Sequence, residues 1–435
     1  MRPVVTVVGG GLAGCEAALQ LLSRGFGVKM FEMRPAKTTG AHGTDGLAEL
    51  VCSNSLKSEA EETASGTLKA ELDALGCNLL ALARECRVPS GSALAVDREL
   101  FSAVVERELA AYPRFELVRE EVTDIPSAPA IVATGPLTSD ALAKRLGELT
   151  GEENLHFYDA IAPIVELSSV DMEHAYFGGR YGRGDDYLNL PMEREEYRAF
   201  REALVSAETV VLHDFEKKEL FEGCMPIEEI ARRGEDAMRF GPLRPVGLRD
   251  PRTGKGAYAV VQLRRENAAG DCWNMVGFQT NLTYGEQRRV FGMIPALREA
   301  DFLRFGVMHR NTYLNSAGKL NACFRFAGDD VLYAAGQLTG VEGYVESIMS
   351  GLVAGVSLAR ELDGKDPAVP PETTVIGALA RYVANAGTGF QPMNANFGLL
   401  PGASGTGKKE RKKYYHDRAV RDIMNFASET GYKEM

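Results

Sequence analysis

Two glycine patterns, far apart in the chain, constrain the fold most strongly. Residues 4–14 read VVTVVGGGLAG, an apolar, β-branched run that reaches Gly9, Gly11 and Gly14 before a helical stretch. Glycines at this spacing between a strand and a helix are typical of a turn whose backbone amides bind a dinucleotide pyrophosphate. Residues 331–351 read VLYAAGQLTGVEGYVESIMSG, a second apolar run that leads through glycines into a helix. The chain is therefore predicted to contain a Rossmann-type domain that is split in sequence.

The two patterns together predict FAD as the cofactor, because a flavin site needs one segment for the ADP half and another for the isoalloxazine half. Glu32 ends a predicted strand 18 residues after Gly14, where a βαβ unit places a carboxylate against a ribose hydroxyl. The run AIVATG at 130–135 is typical of a third segment that passes close to FAD. The structural alternatives to cofactor binding are that Glu32 is an ordinary solvent-exposed glutamate and that Tyr344 is a core residue. The predicted cofactor-binding residues are Gly9, Gly10, Gly11, Leu12, Ala13, Gly14, Glu32, Gly135, Gly336, Gln337, Gly343 and Tyr344.

Hydrophobic periodicity predicts an α/β fold with an inserted mixed α+β domain. Before residue 160 the pattern predicts strands at 4–8, 28–32, 115–118 and 130–135, helices at 12–22, 68–86 and 97–111, and an irregular loop with short helices at 38–66. The next part predicts a glycine- and charge-rich piece at 177–187, helices near 193–205 and 226–233, and strands at 258–264 and 273–278. We therefore expect an FAD-binding domain in two parts, 1–160 and 306–435, around a substrate or RNA domain at 161–305.

Composition limits the class of protein. A chain of 435 residues is too long for one ordinary core, so two domains are expected. No stretch approaches ~18 uninterrupted apolar residues, and no apolar segment follows a basic start, so neither a membrane span nor a signal peptide is predicted. The seven cysteines show no metal-ligand spacing, so we expect a reducing cytoplasm and no metal site.

A basic segment near the C-terminus stands out from the formal net charge of −11. Residues 408–421 read KKERKKYYHDRAVR, with seven Lys or Arg, two acidic residues and two adjacent tyrosines. Such a segment is suited to contact phosphates and to stack on a base, and a solvated basic helix is an equally weighted alternative. The predicted RNA-binding residues are Lys408, Lys409, Arg411, Lys412 and Lys413.

Three further stretches resemble one known family. They are GAHGTDGLAELVCSNSLKSE (40–59), FEGCMPIEEIA (221–231) and FQPMNANFGLLP (390–401). With the glycine patterns, they closely resemble the folate-dependent tRNA uracil-5 methyltransferases usually called TrmFO, over nearly the whole chain. The stretch AAGQLTGVEGY (334–344) also resembles the related tRNA-modifying flavoprotein family MnmG.

The resemblance implies an activity and a set of small molecules. In the TrmFO family, NADH or NADPH reduces FAD, 5,10-methylenetetrahydrofolate supplies a carbon, and C5 of a T-loop uridine in tRNA becomes methylated. The tRNA must expose the target base, because a stacked uracil cannot reach a flavin. No obligate protein partner is implied. In this view the protein contributes positioning and electrostatics while the cofactors carry the difficult chemistry.

Two cysteines are the predicted catalytic residues. A thiolate that adds to C6 of uracil makes C5 a nucleophile, and such a thiol needs a positive or helix-terminal environment. Cys52, in VCSNSLK, and Cys224, ahead of a helix that starts near Pro226, both lie in family-specific stretches. We expect one to contact the uracil and the other to act at the flavin, with the assignment open. The other five are predicted to be buried structural residues, namely Cys15, Cys77, Cys86, Cys272 and Cys323.

Folate or substrate contacts are predicted at His309, Arg310 and Asn394. An imidazole can stack on a pterin, a guanidinium can pair with the folate glutamate or a phosphate, and an amide can bind the edge of a flat heterocycle. Gln391 and Asn396 offer similar amides. The structural alternatives to ligand binding are that His309 is a partly exposed histidine with satisfied hydrogen bonds and that the three amides only stabilise their own loop.

Three other functions are open to a chain with these patterns. An MnmG-type enzyme would modify the wobble uridine, and that family has a longer C-terminal extension for a partner GTPase. A generic FAD oxidoreductase would act on a small thiol or amine and would leave the basic segment unexplained. A flavin-carrying RNA-binding module would bind tRNA without changing it, and the two loop cysteines would then have no chemical task.

Overall fold

The computed structural model describes residues 2–39, 41–151, 155–210, 225–328, 331–386, 390–402, 407 and 410–432, with the backbone alone for 155–160 and 308–310. The strands are β1 (Val4–Val8), β2 (Gly27–Phe31), β3 (Ser55–Ser58), β4 (Arg87–Val88), β5 (Ala93–Val96), β6 (Phe115–Val118), β7 (Ala130–Val132), β8 (Leu155–Ala160), β9 (Ile164–Glu166), β10 (Tyr176–Phe177), β11 (Tyr187–Met192), β12 (Ala259–Arg265), β13 (Cys272–Met275), β14 (Phe302–Arg304), β15 (Met308–Tyr313) and β16 (Leu332–Ala334). The helices are α1 (Leu12–Ser23), α2 (Ala64–Leu75), α3 (Asn78–Glu85), α4 (Arg98–Ala110), α5 (Asp140–Thr150), α6 (Arg194–Ser206), α7 (Ile227–Arg232), α8 (Ala237–Phe240), α9 (Tyr284–Phe291), α10 (Tyr344–Leu362), α11 (Val375–Asn385) and α12 (Arg411–Thr430).

A parallel sheet of five strands organises the first core. Its strand order is β16-β7-β1-β2-β6, so a strand from late in the chain forms one edge beside strands from the first third. Strand β1 consists of β-branched residues that are apolar except for Thr6, as expected for a strand whose two faces are covered by helices. This is the split Rossmann-type α/β architecture predicted from the sequence.

Helices α1 and α10 pack unusually closely beneath this sheet. A Cβ atom added at Gly351 would lie 2.2 Å from the carbonyl oxygen of Ala13, and one at Gly355 would lie 2.9 Å from that of Ala17. Glycine at these two positions, one helical turn apart, removes the side chains that would hold the helices apart. The two glycine-rich segments are thereby fixed against each other although they are far apart in the chain.

A second sheet belongs to the inserted part of the chain. Six strands lie in the order β10-β11-β12-β13-β9-β14, and their paired registers are antiparallel. The apolar side chains of this sheet and of α6, α7 and α9 form a separate buried cluster that includes Trp273, Phe278 and Phe291. The insert is a mixed α+β unit, as predicted. Strands β8 and β15 pair with each other where the chain enters and leaves it.

Two local predictions before residue 90 were wrong. The stretch 38–66, predicted as an irregular loop with short helices, contains β3, which pairs with β5 in a three-stranded sheet. Its sequence, SLKS, lacks the apolar alternation that signals a strand, so only the pairing reveals it. The single helical pattern at 68–86 is two helices, because Gly76 adopts φ +78° and ends α2.

No helix in the described ranges is long and apolar enough to cross a membrane.

Candidate active site

A cleft opens at the carboxyl ends of the central parallel strands, where an open α/β sheet binds its ligands. Its free space, including the part open to solvent, is about 1080 Å³. The cleft is lined by ten of the residues predicted from the sequence, namely Gly9, Gly11, Leu12, Ala13, Glu32, Cys52, Gly135, Gly336, Gln337 and Tyr344. Both glycine patterns and one predicted catalytic cysteine therefore face the same space.

The turn after β1 has the geometry of a phosphate-binding loop. Gly9 has φ +105°, and a Cβ there would lie 2.4 Å from the carbonyl oxygen of Ala133. A Cβ at Gly14 would lie 1.9 Å from the carbonyl oxygen of Gly9, so Gly14 lets the turn and α1 meet behind the cleft. Gly11, the N-cap of α1, has no side-chain cap and has open space where a Cβ would point. The N-terminal amides of α1 are thus presented to the cleft without a protein acceptor at the cap.

Glu32 lies at the cleft wall and is held in one orientation. Its Oε2 accepts the Gly10 amide at 2.9 Å, and its Oε1 accepts the Arg34 Nε at 2.9 Å. Burial alone would raise the pKa of Glu32, but the hydrogen bond and charge of Arg34 hold that pKa below its usual value. The ionised carboxylate keeps one free lone pair on Oε2, which suits a ribose hydroxyl.

The second glycine pattern forms the opposite wall. Gly336 has φ +81° and donates its amide to the Ser350 hydroxyl at 2.7 Å. Gln337 donates from Nε2 to the Glu342 carboxylate at 2.5 Å, which fixes its side chain. Gly343, with φ +117°, is the N-cap of α10 and provides no side-chain cap. A second helix therefore points its N-terminus toward the cleft, next to Tyr344.

Tyr344 holds Cys52 in place. The Tyr344 hydroxyl oxygen accepts the amides of Cys52 at 2.8 Å and Ser53 at 3.2 Å, and it lies 3.0 Å from the Cys52 sulfur. Burial, and then the nearby Cys52, raise the pKa of Tyr344 well above its usual value, so the phenol stays protonated. Since the two amides use the oxygen lone pairs, the phenol proton is the group left to face the sulfur.

Two arginines fix the loop around Cys52. Arg98, at the start of α4, donates from Nη1 to the carbonyl oxygens of Leu50 at 2.7 Å and Val51 at 3.1 Å. Arg264, from β12 of the insert, donates from Nη2 to the Ser53 hydroxyl at 2.8 Å. Burial lowers the pKa of Arg264, and Cys52 is among the groups that act against this. Arg98 is paired with the buried Glu266, so the positive charge that acts on the Cys52 thiol comes from Arg264.

Asn311 is a cleft residue that the sequence did not reveal. It lies on β15, lines the cleft and is 0% exposed. Neither Nδ2 nor Oδ1 has a hydrogen-bond partner within the described part of the chain. A buried amide without partners is costly, so this side chain is suited to a ligand that both donates and accepts hydrogen bonds. Thr134 of the predicted AIVATG segment also lines the cleft, and the other lining residues missed from the sequence include Arg34, His42 and Ser347.

Several predicted site residues lie outside what the structure describes or away from the cleft wall. Cys224 lies outside the described residues, and β15 places the backbones of His309 and Arg310 opposite β8. Asn394 is exposed on a loop that runs beside the second glycine pattern, where the Glu342 amide donates to the Met393 carbonyl at 2.8 Å. Their predicted contacts with folate and uracil remain predictions.

The loop around Asn394 is tied to the Cys52 loop through one carboxylate. Glu346 is fully buried and its Oε1 accepts both the Lys57 ammonium at 2.8 Å and the Ala395 amide at 3.0 Å. Lys57 itself has φ +64°, a left-handed conformation that is costly for a residue with a side chain. Two of the three family-specific stretches therefore meet at the first turn of α10.

The predicted RNA segment forms the start of α12. Arg411, Lys412 and Lys413 are exposed there, whereas Lys408 and Lys409 lie outside the described residues. Of the two adjacent tyrosines, Tyr414 is 41% exposed, and Tyr415 is buried against Phe397 with ring centroids 5.4 Å apart. Tyr415 therefore supports the helix, and only Tyr414 is accessible to a base.

The remaining cysteines contrast with Cys52. Cys15, Cys77, Cys86 and Cys323 are buried. Burial, together with Asp271, raises the pKa of the half-buried Cys272 to about 11. These thiols stay protonated at neutral pH and do not line the cleft.

The residues present fit a dinucleotide cofactor. The cleft has two uncapped helix N-termini for phosphate and ring contacts, a carboxylate placed for a ribose and a buried amide without partners. The glycine turns leave the space that the cofactor requires. This donor set is the one expected for a molecule that has a pyrophosphate, a ribose and a flat heterocycle.

Comparisons with known proteins agree with this geometry. The profile of the family described as glucose inhibited division protein A matches residues 4–366. The chain is 53% identical over 431 residues to the methylenetetrahydrofolate–tRNA-(uracil-5-)-methyltransferase TrmFO of Bacillus licheniformis, covering 98% of this chain and 99% of that protein. The protein of the same name from Geobacter sulfurreducens is 54% identical over 428 residues, covering 97% and 98%.

Solved structures with the same fold include GidA of Aquifex aeolicus. Its form II crystal structure superposes with a TM-score of 0.71 at 16% identity, covering 99% of this chain and 74% of that chain. The form I crystal structure gives the same TM-score and covers 76% of that chain. At this identity the likeness concerns the fold.

Proposed function

The chain belongs to the family of methylenetetrahydrofolate–tRNA-(uracil-5-)-methyltransferases called TrmFO, and from that membership we propose that it methylates C5 of a T-loop uridine in tRNA. The substrates are tRNA, 5,10-methylenetetrahydrofolate and NADH or NADPH. The cytoplasm is the proposed compartment, since tRNA is the substrate. The observation that carries the proposal is the placement of Cys52, in a family-specific stretch, on the wall of a dinucleotide cleft.

FAD is the cofactor that the cleft would hold, and when bound it supplies the electrons that reduce the transferred carbon to a methyl group. The turn at Gly9–Gly11 and the N-terminus of α1 would bind its pyrophosphate, and Glu32 would accept a ribose hydroxyl. The N-terminus of α10 would contact the isoalloxazine half. Asn311 would provide the paired donor and acceptor for a polar edge of the cofactor.

We assign the two catalytic cysteines different tasks. Cys52 works beside the cofactor, because it lines the cleft and its sulfur lies 3.0 Å from the Tyr344 hydroxyl. We therefore assign to Cys224 the other task, the addition of its thiolate to C6 of the uracil. This addition makes C5 nucleophilic. Tyr344 positions Cys52, and Arg98 and Arg264 hold its loop.

The other predicted contacts complete the proposal. His309, Arg310 and Asn394 would contact folate or uracil. The residues that would contact RNA phosphates are Lys408, Lys409, Arg411, Lys412 and Lys413. The two separate cores support a division into an FAD-binding domain at 1–160 and 306–435 and a substrate domain at 161–305.

A single-turnover experiment tests this function. Purified protein is incubated with unmodified tRNA, NADPH and methylenetetrahydrofolate labelled in its methylene carbon, and the tRNA is digested to nucleosides. We expect label in 5-methyluridine, and loss of that label in Cys52→Ala and in Cys224→Ala. Cys272→Ala, which removes a thiol outside the cleft, is the matched control and should keep the label.

Two results would contradict the proposal. Protein that binds FAD and tRNA but leaves 5-methyluridine unlabelled would exclude the methyltransferase function. Label that survives Cys52→Ala at the wild-type rate would remove Cys52 from the reaction while leaving the overall function in place.

A further inference from the structure

Two neighbouring loops of the insert form a basic surface that the catalytic site does not use. We call residues 177–187 and 241–256 the basic loops. They carry three acidic residues, Asp185, Asp186 and Asp250, in a protein whose formal net charge is −11. Their cationic residues are Arg180, Arg183, Arg244, Arg249, Arg252 and Lys255. The surface is therefore positive on an otherwise acidic protein.

Most of this positive charge is not neutralised by carboxylates. Within the described residues Arg183 and Arg244 are exposed and form no ion pair. Arg180 donates only to neutral groups, the carbonyl oxygen of Val246 at 2.7 Å and Oε1 of Gln262 at 2.9 Å. The contact with Val246 holds Arg180 against the loop that carries Arg244, and the pKa of Arg180 is lowered by burial and then by the charge of Arg244.

Two of the three acidic residues of the basic loops have partners, and one of these partners is a cation of the same loops. Asp250 pairs with Arg252 at 2.8 Å. Asp186 accepts the Gly91 amide at 2.6 Å, which ties its loop to the Rossmann part of the chain. Asp185 is the acidic side chain that remains exposed beside the arginines. The free cations therefore outnumber the free carboxylates.

An exposed aromatic ring lies among the cations. Tyr181 is 68% exposed and has φ +59°, a strained conformation for a tyrosine. The loop that carries it is closed by the Gly179 amide, which donates to the Gly184 carbonyl at 2.7 Å. The Tyr181 amide in turn donates to the Gly247 carbonyl at 2.7 Å. A ring held rigidly in solvent beside guanidinium groups provides a stacking platform at low entropic cost.

Strand β12 connects this surface to the catalytic loop. Arg180 binds Gln262, and Gln262 and Arg264 lie two residues apart on the same face of β12. Arg264 binds Ser53, the residue after Cys52. Strand β12 thus joins the two ends: Gln262 contacts the basic loops and Arg264, two residues on, contacts the loop that carries Cys52.

We propose that the basic loops bind the tRNA substrate beside the uridine that is methylated, with Arg183 and Arg244 on phosphates and Tyr181 stacked on an unpaired base. The inference rests on the proposed function for the identity of the RNA. Mixed arginines and an exposed aromatic ring suit RNA, whose phosphates and unstacked bases they contact together. The surface is separate in sequence from the basic segment at the start of α12, for which RNA contact is proposed above.

Binding of an unmodified tRNA transcript tests the proposal directly. The double variant Arg183→Ala/Arg244→Ala should raise Kd about tenfold at ~0.1 M salt, and the slope of log Kd against log salt concentration should fall by about 1.4–1.8. Tyr181→Ala should weaken binding, whereas Tyr181→Phe should restore it. The matched control is Arg107→Ala/Lys144→Ala, which removes two exposed cations from α4 and α5. Flavin absorbance of each variant reports that it folds.

The outcomes separate this proposal from the function. If Arg183→Ala/Arg244→Ala binds tRNA with the affinity and salt slope of the wild type, the basic loops are not the RNA surface. An equal loss in Arg107→Ala/Lys144→Ala would also overturn it, because the effect would then be one of net charge. If the wild-type protein binds tRNA through these loops but transfers no label, the methyltransferase function is excluded while the proposed RNA surface is supported.

Discussion

The sulfur of Cys52 lies 3.0 Å from the hydroxyl oxygen of Tyr344, although 292 residues separate the two in the chain. The same hydroxyl accepts the amide of Cys52 at 2.8 Å. The first turn of α10 therefore determines where the thiol stands relative to the cofactor cleft. The contact joins the second glycine pattern to a loop of the first domain segment, and its loss should impair chemistry more than folding.

Replacing Tyr344 with phenylalanine tests this contact. Tyr344→Phe leaves two amides without an acceptor, which should destabilise the protein by about 1–3 kcal/mol. The label transferred to 5-methyluridine in one turnover should fall at least about tenfold, since Cys52 loses its orienting group. Alkylation of Cys52 by iodoacetamide at neutral pH should slow as well. Tyr382→Phe, which removes a hydroxyl bound to the Gln391 carbonyl, is the control. Equal transfer by Tyr344→Phe and the wild type would exclude a positioning role.

Asn311→Leu should change stability and cofactor affinity in opposite directions. In the FAD-free protein the substitution removes two buried polar atoms without partners, so the free energy of unfolding should stay level or rise by about 1 kcal/mol. FAD affinity should fall by about 10–100-fold, as expected for a lost pair of hydrogen bonds. Denaturant unfolding and flavin fluorescence titration measure the two quantities. Asn274→Leu, a buried amide of the insert, should not alter FAD affinity. An unchanged FAD affinity in Asn311→Leu would show that the amide does not contact the cofactor.

Gly351→Ala should separate α1 from α10. Its Cβ would lie 2.2 Å from the Ala13 carbonyl oxygen, so the helices must move apart. We expect the unfolding free energy to fall by about 1–3 kcal/mol and FAD to be bound more weakly, since both helix N-termini face the cleft. Gly285→Ala, in α9, meets nothing within 4 Å and should be neutral or slightly stabilising. Thermal unfolding of Gly351→Ala and Gly285→Ala, each with and without FAD, measures the effect of each substitution on stability and on FAD binding. Equal melting temperatures for the two variants would refute the close-packing argument.

Stability should depend on pH through Glu71. This residue of α2 accepts the amides of Val375 at 2.7 Å and Ile376 at 2.9 Å at the start of α11. Burial raises the pKa of Glu71 to about 8, above its unfolded value, despite those two hydrogen bonds. Its contribution to stability is therefore fully present below pH ~4.5 and is lost as pH rises through ~8, by at most about 1.4 kcal/mol per pH unit.

The substitution Glu71→Gln measures that contribution. The unfolding free energy of the wild type should fall more steeply between pH ~5 and ~8 than that of Glu71→Gln. Glu99→Gln, at the exposed first turn of α4, should follow the wild type. Urea unfolding across this pH range provides the values. Parallel curves for the wild type and Glu71→Gln would show that the buried carboxyl does not titrate there.

The sequence predicted the elements whose signals are local. Strand β1, the turn at Gly9 and the start of α10 follow from apolar runs that end in glycines, and β6 was predicted at its observed bounds. The fold class followed from the order of these elements. Cys52 was singled out because its stretch is family-specific, and the structure places it in the cleft.

Features that depend on distant pairing were not predictable. Asn311 is one amide in a polar run, and only the orientation of β15 turns it into the cleft. Strand β3 has no apolar alternation, and its identity as a strand depends on pairing with β5. The contact of Arg264 with Ser53 requires knowing how the insert docks on the first domain segment. Local patterns contain no information on such contacts.

The place of β16 at the edge of the parallel sheet also determines when the cofactor site can form during translation. About 200 residues separate the end of β7 from β16, so ribosomes working at about 5–20 residues per second need roughly 10–40 s to make them. Throughout that time β7 is an unpaired edge and α1 lacks α10. The first segment of the nascent chain therefore has an uncovered apolar edge during this time. The insert can fold earlier, because its core is complete once β14 has emerged, and the FAD site forms only afterwards.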